Sequence, residues 1–248
     1  QSLIGFAPLV EELGGDPLPL LHGVGLDPAQ LDQPDAYIPH RAFIQLLEDA
    51  AATLRCPDFG LCLLDRQDAS VLVPIALAAQ NTRNLREAID CLARYIHVQG
   101  SALRLNLLPQ PGTDQVMLVI ELRMRRQIAR SQQMELATGL AYKVVDLLTG
   151  GTCRPLAVCL PHRRRAPLKA YWRRLGAAIR FEHPLAGILI SRKDLDLPVI
   201  QGNAEIAAAA DIYLLSQYGR GDERLAGRVR AMIRPLLAVG RCGNEHVA

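Results

Sequence analysis

Six histidines and six cysteines are the residues of this chain best suited to metal or nucleophilic chemistry, and their spacing supports neither. His22, His40, His97, His162, His183 and His246 form no H-x-x-x-H or H-E-x-x-H pair, the spacing that puts two imidazoles on one helical face around zinc. Cys56, Cys62, Cys91, Cys153, Cys159 and Cys242 include no C-x-x-C, and none sits in a motif that supplies a base and an electropositive setting. GGDP and GVG in the first thirty residues lack the strand and helix context of a dinucleotide loop and read as turns. No carboxylate pair stands out for acid–base work. The expectation is therefore no catalytic residue, no metal and no cofactor.

Two basic clusters could instead bind an anion. Arg123, Arg125, Arg126 and Arg130 form one; Arg163, Arg164, Arg165, Lys169, Arg173 and Arg174 flank Trp172 in the other. Such clusters contact phosphates or hold an anionic effector by bidentate guanidinium contacts, but a charge run is more often a solvated face, which is the reading adopted for 163–165. Polar residues placed on apolar elements mark a pocket more directly. Tyr95 and His97 end an apolar helix, Arg104 lies on a leucine-rich strand, and Tyr142 lies within a long helix. These four are the candidate effector-binding residues. The surrounding Leu, Val, Ile and Ala, with aromatics only 4% of the chain, disfavour the stacked face a sugar needs. They suit a small amphipathic molecule, such as a carboxylate whose charge meets Arg104.

The elements that must position these residues are legible from periodicity. Phe43, Leu46, Leu47, Ala50, Ala51 and Leu54 form one helical stripe that ends near Pro57. Asn84-Leu-Arg-Glu87 is a capping-box-like start for a helix striped by Leu85, Ala88, Ile89, Leu92 and Ile96. Leu103, Leu105 and Leu107 alternate with Arg104 and Asn106. Val116, Leu118, Ile120 and Leu122 alternate after the turn PQPGTD, which predicts an antiparallel hairpin with one buried face. Residues 128–149 read as a long helix closed by Gly150-Gly151. Then LAVCL reads as a strand, PLKAYWRRL as a short helix, and AIRF and GILIS as strands. Before residue 40 the chain shows only short apolar pieces, with Asp27-Pro28 starting a short helix. The predicted class is α+β: N-terminal helices, then an antiparallel hairpin and further short strands in one sheet packed against helices.

The opening QSLIGFAPLV lacks the basic start of a secretion signal, and no apolar run reaches the roughly 18 residues of a membrane span, so no membrane partner is expected. The cysteines suit reduced, mostly buried thiols of the cytoplasm. Residues 203–218 read as an Ala-rich helix, GRGDE as a linker, and the stretch from Glu223 as an amphipathic helix followed by the turn VGRCGNEHVA. That last stretch is either an amphipathic tail docked on the domain or the opening of a helix-turn-helix.

Taken together with its upstream landmarks, RVRAMIRPLLAVGRCGNEHVA resembles the first helix and turn of the DNA-binding domain of AraC-type transcriptional regulators. FGLCLLDRQD, NLREAIDCLARY, RPLAVCLPH and YWRRLGAAIRFEHPLAGILISRKDLDLPV are similar to successive landmarks of the arabinose-binding-type N-terminal domain of one branch of them. The resemblance implies an effector-sensing domain over 1–200, a helix and linker over 201–222, and the first helix and turn of a helix-turn-helix domain over 223–248. It implies a small-molecule effector, DNA contacts made by helices beyond Ala248, and a homodimer matched to paired half-sites. The apolar faces of helices 128–149 and 203–218 are the expected dimer surfaces. Two rivals stand beside this: a small-molecule enzyme with an amphipathic C-terminal tail, and a ligand-free dimerisation scaffold.

Overall fold

The computed structural model describes residues 3–32, 38–67, 75–98, 102–124 and 128–200, together with Ile212. The expected helix and linker over 201–222, apart from Ile212, the helix from Glu223, Arg125, Arg126 and Cys242 lie outside the described residues.

Among the described residues, eight α-helices and five strands form an α+β unit. Helices α1 (Phe6–Glu12), α2 (Pro17–Gly23), α3 (His40–Thr53) and α4 (Phe59–Leu64) come first, followed by α5 (Ile75–Gln80) and α6 (Leu85–Tyr95). Strands β1 (Leu103–Pro109) and β2 (Gln115–Leu122) precede the long helix α7 (Ser131–Thr149). Then come β3 (Ala157–Cys159), α8 (Leu168–Leu175), β4 (Ala178–Arg180) and β5 (Gly187–Ser191).

The local signals act as their chemistry requires. Asn84 Oδ1 accepts from Glu87 N at 3.0 Å, while the Glu87 carboxylate turns back to Arg83 N at 3.2 Å, so the start of α6 is capped from both sides. Asp27 caps a 3₁₀ turn over Pro28–Asp32 by accepting from Ala29 N. Gly150, with φ +57°, ends α7 in the left-handed conformation, and Gly151 N donates to Asp146 O at 2.8 Å. Two helices at the N-terminus have no long periodic stripe to announce them. In α2, Asp16 caps and Pro17 leads, whereas α1 enters from Gly5 at φ +78°.

The sheet order is β1-β2-β5-β3-β4, antiparallel except for the β3/β4 pair. The hairpin register pairs Leu103 with Leu122, Leu105 with Ile120 and Leu107 with Leu118, so the alternating leucines share one face. Its partner strand departs from the expected single buried face. Met117 and Val119 are as buried as Val116, Leu118 and Ile120, because Met117 and Val119 cluster with Ala157, Cys159 and Leu189 on the sheet's other side. An interior strand covered on both faces loses the polar half of its alternation.

Helix α7 is the spine. On one side it meets α3, α4 and α8, and on the other α6 and the sheet. Its contact with α4 is backbone-close: a Cβ on Gly60 would lie 2.2 Å from Gln132 O, and one on Gly139 would lie 2.2 Å from Leu64 Cδ2. Glycine at both points lets the helices approach.

Candidate functional site: an apolar cavity beside the long helix

Between α6, α7 and the β1/β2 hairpin lies a cavity of about 90 Å³. Leu103 and Leu105 of β1 and Leu118 and Ile120 of β2 form its floor; Ile89 and Leu92 of α6 and Leu140, Ala141 and Val144 of α7 form its walls. Phe43 is its one aromatic lining residue among those described, and Gln67 and Gln133 are its two polar ones. Low aromatic content and a Leu/Val/Ile/Ala lining are what the sequence predicts for walls built from these elements.

The two glutamines differ. Gln67 Nε2 donates to Ile4 O at 3.0 Å, which ties it to the N-terminal segment. Gln133 is 3% exposed, and its Oε1 has no hydrogen-bond partner among the described residues. A buried amide oxygen left unpaired costs about 1–3 kcal/mol. By the cavity scaling of about 24 cal/mol per Å³, the void itself costs on the order of 2 kcal/mol. Both costs fall on the same spot and both are relieved by a molecule that fills the void and donates a hydrogen bond to Gln133.

The four residues singled out from sequence are placed around this region but do not line it. Tyr95 is fully buried in the core beside α5 and β2, with the Arg94 guanidinium 5.9 Å from its ring centre. His97 is half-buried in the 3₁₀ turn after α6, its Nδ1 3.0 Å from Arg94 O. Arg104 donates to Leu103 O at 2.7 Å and pairs across the hairpin with Glu121, between two cavity-lining leucines and so on the opposite face of β1. Tyr142 packs between the two largest core clusters, and burial raises its phenol pKa. Gln67 and Gln133 escape sequence reading because a glutamine carries no spacing signal of its own.

On its other side α7 is polar and well paired. The Glu48 carboxylate of α3 accepts from Gln132 N at 2.8 Å and so caps the start of α7. Gln132 also accepts from Gly60 N at 2.7 Å and donates to Pro57 O at 2.9 Å. Lys143 donates to Leu64 O at 2.5 Å and to Gln67 O at 2.9 Å, closing the C-terminal end of α4. Glu135 is the exception. Burial lifts its pKa to about 8, opposed by the hydrogen bond that Tyr171 donates to Oε1 at 2.7 Å, and its Oε2 has no partner among the described residues. His162 Nε2 lies 3.5 Å away, but burial lowers the pKa of His162, so the pair sits neutral rather than as an ion pair at neutral pH.

The basic clusters divide. Arg163 pairs with Glu182 at 3.0 Å and is 88% exposed, and Arg165 reaches Glu48 at 3.7 Å, so 163–165 is a solvated face. Arg123 pairs with Glu121, and Arg130 donates to Leu122 O. Arg174 turns inward, 7% exposed, between Asp58 and Asp65. No described helix is long and apolar enough to cross a membrane.

Residues 14–199 match the family described as the arabinose-binding domain of AraC transcription regulators, N-terminal part. The chain is similar over its whole length, at 32% identity, to the HTH-type transcriptional regulator VirS of Mycobacterium tuberculosis, of which it spans 73%. It is 25% identical over 195 residues to the ornithine utilization regulator of Pseudomonas aeruginosa, covering 79% of this chain and 57% of that one. Its fold is similar to the crystal structure of the transcriptional regulator CdpR from Pseudomonas aeruginosa, with a TM-score of 0.57, 19% identity, and coverage of 78% of this chain and 59% of that chain.

Proposed function

This chain belongs to the AraC-type transcription regulators through their N-terminal arabinose-binding domain, and from that we propose that it senses a small molecule in the α6/α7/hairpin cavity and passes occupancy to DNA-binding helices of the full-length protein. The observation that carries this reading is the cavity together with the way out of it. The segment 197–200, which leads toward the C-terminal part, is pinned to both helices that wall the cavity. Leu85 N donates to Leu197 O at 2.9 Å and Val199 N to Arg83 O at the start of α6; Ile200 N donates to Leu148 O at the end of α7.

A void of about 90 Å³ is smaller than the ~150 Å³ that accepts a benzene ring. A larger ligand must therefore part α6 from α7. It would then favour whichever arrangement of the two helices leaves more room, and by that differential affinity shift the population of the segment pinned to both. The lining supports binding rather than turnover: among the described residues its polar groups are two amides, with no nucleophile, acid or base. The effector class that fits is a small, predominantly aliphatic molecule carrying a hydrogen-bond donor for Gln133 Oε1. Apolar burial supplies most of its affinity, at about 25 cal/mol per Å² before ordering costs. A carboxylate reaching Arg104 does not fit this cavity, since Arg104 lies on the far face of β1.

The full-length protein acts as a dimer on paired half-sites in this reading. Helix α7 is enclosed by the core on most of its surface, with Leu147 its exposed large apolar residue at 48%, so a dimer contact on the expected 128–149 helix would rest on little more than its C-terminal end. Mass spectrometry of small molecules released from the purified protein tests the sensing reading. The expected result is an aliphatic donor-bearing compound lost from the Ala141→Phe variant, whose side chain fills the cavity. Protein-dependent conversion of that compound would overturn the reading in favour of an enzyme.

A further inference from the structure

Away from the cavity, the chain between α3 and α4 brings two cysteines and a cation together. Cys56 Sγ and Cys62 Sγ are 3.9 Å apart, in van der Waals contact, and the Arg174 guanidinium of α8 lies 3.3 Å from Cys62 Sγ through Nη2. The guanidinium is itself fixed by Asp58, 3.3 Å from Nη1, and by Asp65, 2.7 Å from Nε, and is 7% exposed. A near-buried arginine held by two carboxylates and aimed at a thiol is a preorganised counter-charge for a thiolate. Cys62 is half-buried and so within reach of a small solute, whereas Cys56 is buried. The three remaining described cysteines, Cys91, Cys153 and Cys159, are buried.

We propose that Cys62 and Cys56 form an oxidation site for hydroperoxides, with Cys62 as the attacking thiol, Cys56 as the resolving thiol and Arg174 as the positioning cation. The Cys62 thiolate attacks the peroxide oxygen, the O–O bond breaks, and hydroxide or alkoxide leaves and takes a proton from water. Cys62 becomes a sulfenic acid. Cys56 then loses its proton and attacks the Cys62 sulfur, the S–O bond breaks, water leaves and the S–S bond forms. Two thiols and one hydroperoxide give one disulfide, one alcohol or water from the peroxide remnant, and one further water.

The proton distribution already matches these roles. The pKa of Cys62 is lowered, first by the hydrogen bond from Cys56 and further by Arg174. That of Cys56 is raised, first by that same bond and then by burial. The charges that face the pair are Arg174, which favours the thiolate, and Asp58 and Asp65, which oppose it as burial does; Arg174 is paired with both acids and so offsets them in part. Cys56 Sγ, Cys62 Sγ and an Asp58 oxygen also lie within 4.8 Å of one another, a spacing open to a soft metal. The guanidinium occupies the space beside both Cys62 and Asp58 where such an ion would bind, which favours the thiol reading.

The experiment treats the reduced protein with a small excess of hydrogen peroxide at neutral pH, quenches with an alkylating reagent and maps peptides by mass spectrometry. The expected result is a single Cys56–Cys62 disulfide, with the other described thiols alkylated only after unfolding. Cys56→Ser should stop at a sulfenic acid trapped by a 1,3-diketone, and Cys62→Ser should lose peroxide consumption. Arg174→Gln should slow oxidation about tenfold at pH 7, one pKa unit of thiolate, and move the midpoint of the rate-against-pH curve upward. The wild-type peptide map does not depend on any variant folding. Oxidation of all thiols at the rate of free cysteine, or tight one-to-one zinc binding that requires Cys56, Cys62 and Asp58, overturns the proposal.

Discussion

The two sides of α7 follow opposite rules. Toward α4 its start is packed backbone-close, with Gly60 against the Gln132 backbone and Gln132 making three hydrogen bonds. Toward α6 and the hairpin the same helix borders a void, and Gln133 Oε1 has no partner among the described residues. Neighbours in sequence, Gln132 and Gln133 thus have the same chemistry and opposite fates, decided by which face of the helix each occupies. A rigid anchor on one side lets the other side be hollow, because the helix keeps its place whether or not the void is filled. That division is what a sensing element requires: one face that fixes the reference and one that responds.

The comparison breaks most severely if the tight side tolerates bulk. Gly60→Val places a branched side chain where a Cβ alone would be 2.2 Å from Gln132 O. Backbone cannot yield as a flexible side chain does, so a loss of about 4 kcal/mol is expected. Chemical denaturation measures it. On the hollow side Ala141→Leu adds comparable volume to a cavity wall and should change stability by less than about 1 kcal/mol. Equal losses at the two positions would end the distinction.

Glu135 tests the tight side through pH. Its folded pKa of about 8 lies above the unfolded value of 4.5, so the folded state holds the proton more firmly. Its contribution to stability is complete below pH 4.5 and is lost as pH rises through 8. His162 acts in the opposite sense: its lowered pKa removes stability as pH falls below 6.5. Glu135→Gln keeps the acceptor for Tyr171 while abolishing the charge. The variant should gain about 2 kcal/mol relative to wild type between pH 5 and pH 8. Thermal melts across that range read the difference, and parallel curves would mean that Glu135 titrates normally.

How much of this was legible depends on the range of the interactions involved. The hairpin, the Asn84 cap and the Gly150-Gly151 stop are set by residues within one or two turns of each other, and each forms as its pattern predicts. The region of the cavity was also legible, since three amphipathic elements around residues 85–149 must share one interior. Its polar groups were not. Tyr95, His97, Arg104 and Tyr142 stand out as polar residues on apolar elements, but polarity against an apolar background does not say which side of the element faces the void. Arg104 alternates with the lining leucines and so faces away from them. The α4 helix escapes notice because six apolar residues show no period, and its role rests on Gly60 meeting a helix more than seventy residues later. The cysteine pair was invisible for the same reason: Arg174, which gives it meaning, is 112 residues from Cys62.

Gln133→Leu sharpens the comparison from the hollow side. It removes an acceptor without a partner among the described residues and adds apolar surface to an apolar void, so the ligand-free protein should be more stable by about 1 kcal/mol. The same change should weaken the effector, by about 1–2 kcal/mol for a lost neutral hydrogen bond. Opposite signs for stability and binding are the signature of a group retained for a ligand. A loss of stability in the ligand-free protein would instead mean that Gln133 is satisfied within the fold.

The smallest expected effect belongs to Arg104→Ala, and it decides between two faces of one strand. Arg104 donates to the neighbouring Leu103 carbonyl and sits opposite Glu121, which is already paired with Arg123. Half-exposed ion pairs of this kind contribute between zero and about 1 kcal/mol, so stability should fall by no more than about 0.5 kcal/mol. Affinity for an effector in the cavity should be unchanged within about 0.3 kcal/mol, because β1 stands between the guanidinium and the void. Calorimetry on the two variants separates the sites cleanly. A carboxylate that loses about 2–5 kcal/mol on Arg104→Ala, the cost of stripping a buried ion pair of its partner, while ignoring Gln133→Leu, would place the effector on the outer face of the hairpin and leave the cavity an unfilled space within the core.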